Sequence, residues 1–299
     1  MPKDRFRIRQ EPPTGLLKPF ISRDLLDETD YIDSFLDFQN LVDSIYRGFD
    51  IIEVIRQHRL IVVGGQALAF WYARFFLHER QTYEFQAAYS DDLDFYGVKS
   101  SVEFCELRLG VAFNRPEDFN STVNLAMTEY VIEPSGRKII IDIIHEVGGL
   151  EKSEIENGTE LLPMRGIDVP VINPLLCLRS RIHNFYAPYK ADKVNELSRI
   201  ALCIRMVNAY LTEMLVDTGW SKIVSRHCEA LIGLCLSVEG RKLYCKWGVD
   251  ILQALPDASL LNESFAQQRL PRARHQVQQE RERMHVQLLR FDKSYTGNR

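Results

Sequence analysis

No run in this chain approaches 18 uninterrupted apolar residues, the length at which a stretch becomes a candidate for crossing a bilayer. The strongest, Ile139 to Ile144, is short and carries a charge. No membrane association is therefore expected. The first fifteen residues contain basic side chains with no apolar run behind them, so a secretory signal is not expected either. The six cysteines, Cys105, Cys177, Cys203, Cys228, Cys235 and Cys245, contain no C-x-x-C pair. Without a disulfide framework they read as reduced, mostly buried thiols of a cytoplasmic protein, and a zinc site is not expected. His183, His227, Cys228 and His285 likewise lack ligand spacing. There is no excess of positive charge: the formal net charge is −4, so any nucleic-acid site would have to be a local patch. Internal repeats and low-complexity segments are absent too. What remains is 299 residues, 45% hydrophobic and 26% charged, enough for one large globular domain or two ordinary ones.

Residues 1 to about 30 read as a charged, proline-containing arm. From Tyr31 to His58 apolar residues recur at three and four, which predicts one or two amphipathic helices. Leu60 to Val63 is a β-branched run ended by Gly64-Gly65, a buried strand and tight turn, and Gln66 to Leu77 reads as the helix that leaves it. Asp91 to Gly97 is a second strand. Ser100 to Leu109 is a helix with Ser100 or Ser101 as its cap. Thr122 to Ile132 and Lys138 to Ile144, separated by Pro134-Ser135-Gly136, form a hairpin. Gly166 to Ile172 is extended, and Asn173-Pro174 opens a helix with proline near its first position. From Leu175 to about Leu255 the pattern is helical, with breaks expected near Pro188, Gly219, Gly240 and Gly248. Residues 266–299 form a basic tail, with eight basic residues against three acidic ones. This tail reads as a solvated helix, with RNA contact as its alternative role. The expected organisation is an N-terminal arm and helices over 1–58, a mixed α/β core over 59–172 and a helical region with basic tail over 173–299. The fold class is α+β.

On a strand, Asp92 and Asp94 project to one face while Leu93 and Phe95 project to the other. Paired carboxylates repel, and a divalent cation such as Mg²⁺ relieves that repulsion through oxygen ligands, water and substrate phosphates. A lone D-x-D is weak, because most such pairs are solvated strand or turn residues. Asp142 sits among five isoleucines, where a charge needs a reason. Either an arginine pairs with it, or it points out at a sheet margin, or it is a third carboxylate beside Asp92 and Asp94. Gly64-Gly65 lies between strand and helix, where backbone N–H groups and the helix N-terminus favour a phosphate. Taken together and in order, these features describe a site for a nucleoside triphosphate and a divalent metal. The aromatics Phe70, Trp71, Tyr72, Phe75 and Phe76 read as core, and His145 at a strand end reads as structural.

The runs Val63-Gly64-Gly65-Gln66-Ala67-Leu68 and Ser90-Asp91-Asp92-Leu93-Asp94-Phe95 resemble the nucleotidyltransferase superfamily whose fold is shared with DNA polymerase beta. Within it, the nearest resemblance is to the minimal branch that includes abortive-infection toxins of type IV toxin–antitoxin systems. The resemblance spans about residues 60 to 145. It implies a nucleotidyltransferase-type mixed sheet with flanking helices, followed by a helical C-terminal half. It also implies metal-dependent transfer of NMP from an NTP to a hydroxyl, with Mg²⁺ or Mn²⁺ held by Asp92, Asp94 and Asp142, the last also serving as base. Gly64, Gly65 and Gln66 would hold the triphosphate. Gln66 departs from the Ser or Thr common at that position, and the distance from Gly65 to Asp92 exceeds the shortest family pattern. A weaker match, Asn173 to Arg181 with Lys190, Asp192 and Lys193 beyond, implies Arg179 as a further triphosphate contact, with Arg181 as its alternative. The acceptor would be RNA, such as tRNA, or a protein, and a cognate antitoxin would be a partner of the toxin form. Two competing classes are a non-catalytic nucleotide-binding or interaction module and an antibiotic-type small-molecule nucleotidyltransferase.

Overall fold

The computed structural model describes residues 28–76, 87–88, 90, 92–117, 122–133, 135–187 and 193–296; over 28–34 and 289–296 it describes the backbone alone. Lys190 and Asp192, the break expected at Pro188 and most of the N-terminal arm lie outside these residues.

Six strands form one mixed sheet: β1 (Ile61–Val62), β2 (Asp92–Tyr96), β3 (Asn124–Ile132), β4 (Arg137–Ile144), β5 (Thr159–Met164) and β6 (Ile167–Ile172). Their order is β3-β4-β2-β1-β6-β5. The expected hairpin of β3 and β4 is antiparallel, with Ile132 opposite Arg137 and Thr128 opposite Ile141. β4 then runs parallel to β2, β2 antiparallel to β1, and β1 parallel to β6. The isoleucine strand is two-sided. Ile139, Ile141 and Ile143 are buried, whereas Ile140 is exposed and Asp142 and Ile144 are half-buried. Leu93 and Phe95 of β2 join the buried face. β5, which pairs with β6, has no counterpart in the sequence reading. Its Pro163 argues against a strand, but an outermost strand tolerates a residue that cannot donate to the ladder.

The N-terminal helices are α1 (Glu28–Tyr46) and α2 (Ile51–His58). α1 buries Phe35, Phe38, Leu41, Val42 and Ile45, an apolar stripe at helical spacing. Asp50 caps α2 by accepting from the N–H groups of Ile52 and Glu53. α3 (Gly64–Phe76) begins within the glycine pair rather than after it, and buries Phe70, Trp71, Tyr72 and Phe76. α4 (Lys99–Leu109) begins after Val98, so neither Ser100 nor Ser101 is its N-cap. Ser101 instead sits one turn in, and its hydroxyl accepts from the Val98 N–H at 2.7 Å. A short α5 (Lys152–Asn157) precedes β5, and α6 (Pro174–Tyr186) starts as expected, with the Asn173 side chain accepting from Leu176 N–H at 3.0 Å.

The helical region continues with α7 (Lys193–Thr218), α8 (Lys222–Leu236), α9 (Val238–Trp247), a 3-10 turn at Ile251–Ala254, a π turn at Phe265–Arg269 and α10 (Leu270–Thr296). Gly219 and Gly248 follow helix ends at φ 68° and 70°, the left-handed conformation that terminates a helix. The break expected at Gly240 falls at Ser237 instead. Gly240 lies inside α9, where an added Cβ would stand 2.0 Å from the Leu234 carbonyl oxygen, so it serves close helix approach rather than termination. The basic tail is docked: α10 buries Leu270, Ala273 and Val277, and Arg281 pairs with Asp250 at 2.5 Å. One cluster of buried apolar side chains runs from Phe35 to Val277 through all three stretches of the chain. Among the described residues no helix is long and apolar enough to cross a membrane.

Candidate functional site

The parallel pairing of β2 and β4 sets Asp94 directly opposite Asp142, with Asp92 opposite Ile140. Partners across neighbouring strands are about 4.8 Å apart and share a face, so the register puts all three aspartates on one side of the sheet. That side is the partly open one, and each aspartate is half-buried. The electrostatics follow from this crowding. Burial, then the charge of Asp142, and to a smaller degree that of Asp92, push the Asp94 carboxyl up to about 6. Arg181 and a hydrogen bond from the Gly65 N–H act in the opposite direction. Asp142 is raised by burial and by Asp92. The Asn124 amide donates to Asp142 Oδ1 at 3.4 Å.

The glycine pair lies against this cluster. Gly64 has φ 65°, and a Cβ there would stand 1.8 Å from Asp94 Oδ2. A Cβ at Gly65 would stand 2.3 Å from the Ser90 Cβ. The Val63 N–H donates to the Asp94 carbonyl at 2.9 Å, tying the end of β1 to β2. The positive end of the α3 dipole therefore faces the carboxylates, where it favours anions. Gln66 is turned inward and is buried. Its Nε2 donates to the Ser90 carbonyl at 2.7 Å, and its Oε1 has no hydrogen-bond partner among the described residues.

The two arginines of α6 are divided between different partners. Arg179 pairs with Glu154 of α5 and donates to the Gly149 carbonyl at 3.3 Å. Arg181 is buried, lies 3.5 Å from Glu196 of α7, and is the cation whose charge Asp94 feels. Of the two sequence candidates, Arg181 is the one whose positive charge acts on Asp94. Lys193, at the start of α7, donates to the Phe185 carbonyl at 2.6 Å and lies over the Phe185 ring. His145 follows β4, lies 3.9 Å from Glu146, and has a buried Nδ1 with no partner among the described residues.

Three participants carry no sequence signal, Asn124, Glu196 and Arg199, and Ser90 reads only as part of the run that carries the resemblance. Arg199 donates to the Ala87 carbonyl at 3.1 Å and to Glu196 at 3.2 Å. Each is an ordinary polar residue within a helix, strand end or connection, and only the folded chain brings it to the site.

Among the described residues, no group of three or more His, Cys, Asp or Glu side chains stands arranged to hold a metal ion. The aspartates form an open face rather than a closed cage. Comparison with known proteins adds no family: no protein-family model, curated protein or solved structure matches the chain.

Proposed function

We propose that this protein is a metal-dependent nucleotidyltransferase that moves NMP from an NTP to a hydroxyl acceptor. The observation that carries the proposal is the in-register pair Asp94–Asp142, with Asp92 on the same face and the Gly64–Gly65 start of α3 pressed against Asp94. Three carboxylates crowded so that one is raised to about 6 form a donor set in need of positive charge. Their oxygens suit Mg²⁺ or Mn²⁺, which accept a few carboxylates and take water and phosphate oxygens for the remaining positions. An open face of aspartates meets that requirement, where a protein-only cage would leave no room for substrate.

Asp92, Asp94 and Asp142 would hold the ion, which when bound supplies positive charge to the triphosphate. The chain's own groups do the rest. The N-terminus of α3 and the Arg181 guanidinium provide further positive potential at Asp94. Asp142, on β4 beside Asp94, would take the proton of the acceptor hydroxyl. That oxygen bonds to the α-phosphorus as the bond to pyrophosphate breaks, so the chain gains no covalent intermediate. In this reading β1, α3, β2 and β4 form a nucleotidyltransferase-type core. The acceptor is RNA or protein, and a toxin role with a cognate antitoxin follows from the sequence resemblance alone.

The test incubates the protein with each α-labelled NTP, Mg²⁺ or Mn²⁺, and either total RNA or cell lysate. Label is expected on a macromolecule, and is expected to disappear with Asp92→Ala and with Asp94→Ala. A protein that binds nucleotide yet transfers label from none of the four NTPs would defeat the proposal.

A further inference from the structure

The segment leading into β2 is gripped from two sides by groups that the proposed chemistry does not use. From α3, Gln66 Nε2 donates to the Ser90 carbonyl at 2.7 Å. From α7, Arg199 Nε donates to the Ala87 carbonyl at 3.1 Å. Arg199 is joined at 3.2 Å to Glu196, and Glu196 lies 3.5 Å from Arg181, whose charge Asp94 feels. Polar contacts thus run from the approach to β2, through α7 and α6, back to the carboxylate cluster on β2.

The placement matters because the cluster is repulsive. Asp92, Asp94 and Asp142 repel one another, and the N–H of Gly65 reaches the Asp94 carboxylate only if β2 stays against the start of α3. The clearance there is tight, since a single methyl group at Gly64 would fall 1.8 Å from Asp94 Oδ2. The backbone carbonyls of Ala87 and Ser90 are handles on the chain shortly before the strand. Gln66 is buried, so its amide has no water to exchange for the Ser90 carbonyl, and breaking the contact leaves the buried Gln66 donor unsatisfied.

We infer that Gln66 and Arg199 are positioning residues that clamp the approach to β2, fixing Asp92 and Asp94 against Gly64–Gly65. Gln66 does this in place of touching phosphate, and Arg199 makes the helical region a working part of the site. The inference rests on the proposed metal-dependent function for its consequence, but not for its geometry.

The test uses the full chain with Gln66→Met, which keeps the side-chain volume and removes the donor, with Arg199→Met, and with Arg199→Lys, which can restore a donor to a carbonyl. Two measurements are made: hydrogen exchange at Ala88, Ser90 and Asp92–Tyr96, and Mn²⁺ affinity by electron paramagnetic resonance. In each Met variant, exchange at these amides is expected to quicken by about tenfold while the amides of α10 keep their wild-type protection. Mn²⁺ binding is expected to weaken by about tenfold, and Arg199→Lys to recover part of both effects. Unchanged exchange at Ser90 and β2 in both Met variants would overturn the clamp, whatever the activity. Faster exchange that is confined to these residues upholds it, even if no NMP transfer is found; that result would count against the functional proposal alone.

Discussion

Asp94 inverts the usual behaviour of an aspartate. Most carboxylates are held below their ordinary range by the fold and lose stabilisation in acid, whereas this one is raised to about 6 by burial and by Asp142. A raised carboxyl binds its proton more tightly when folded, so its contribution to stability is greatest below about pH 4. That contribution is lost as the pH climbs through about 6. Asp94→Asn removes the ionisation and keeps an oxygen for the Gly65 N–H. In the presence of a chelator the variant is expected to be more stable than the wild type by about 1–3 kcal/mol at pH 7.5, with the gap closing near pH 4. Mg²⁺ is expected to raise the melting temperature of the wild type and not that of the variant. Urea titrations at the two pH values check this, and an Asp94→Asn protein less stable than the wild type at pH 7.5 would refute the account. At this scale the sequence was legible where a residue type was out of place. Gly64-Gly65 and Asp142 stood out for that reason, and the turn and the shared register with Asp94 supply their setting. Gln66 was legible as a departure, but its inward turn was not, because nothing in the sequence says which carbonyl a buried amide will meet.

β4 shows what an element adds to its residues. A run of five isoleucines around one acid reads as a strand inside a sheet, and β4 lies between β3 and β2, but burial alternates along it, and the side carrying Asp142 is the open one. Strand periodicity of two makes this a sharp expectation. Ile141→Ala, at a fully buried position, should cost about 2–5 kcal/mol by chemical denaturation, whereas Ile140→Ala, 39% exposed, should cost under about 1 kcal/mol. Equal losses at the two positions would mean that the aspartate face is covered in solution. Element boundaries were readable where a cap announces them, as at Asn173-Pro174 and Gly248. They were misread where tertiary contact overrides the local signal. Gly240 passes as a breaker but lies within a helix against the Leu234 carbonyl, and β5 goes unread because its Pro163 argues against a strand, although an outermost strand tolerates it.

Across the whole molecule, packing contacts cross the boundaries between the N-terminal helices, the mixed core and the helical region. Trp71 of α3 donates to the Ile172 carbonyl at 2.8 Å and meets the Tyr210 ring of α7 at 5.5 Å, so a sheet-layer helix and the helical region share one aromatic contact. At the far end, Trp220 lies 5.0 Å from Phe265, just before α10, and α10 is held by buried Ala273 and Val277 as well as by Arg241–Glu280 at 2.6 Å and Arg281–Asp250 at 2.5 Å. Of the tail's cations, Arg281 is bound by Asp250 and Arg269 by Glu229, whereas Arg272, Arg274 and Arg283 remain exposed. If the apolar cluster from Phe35 to Val277 acts as one body, damage at its C-terminal end must reach the carboxylate site. Val277→Asp places an unpaired charge at a fully buried position and is expected to cost more than about 3 kcal/mol. In variants keeping either Trp71 or Trp220 as the sole tryptophan, the two fluorescence transitions should coincide in urea and shift together when Val277→Asp is added. A shift confined to the Trp220 reporter would show that the helical region unfolds by itself, and Arg199 would then be a contact between separable units rather than a brace within one.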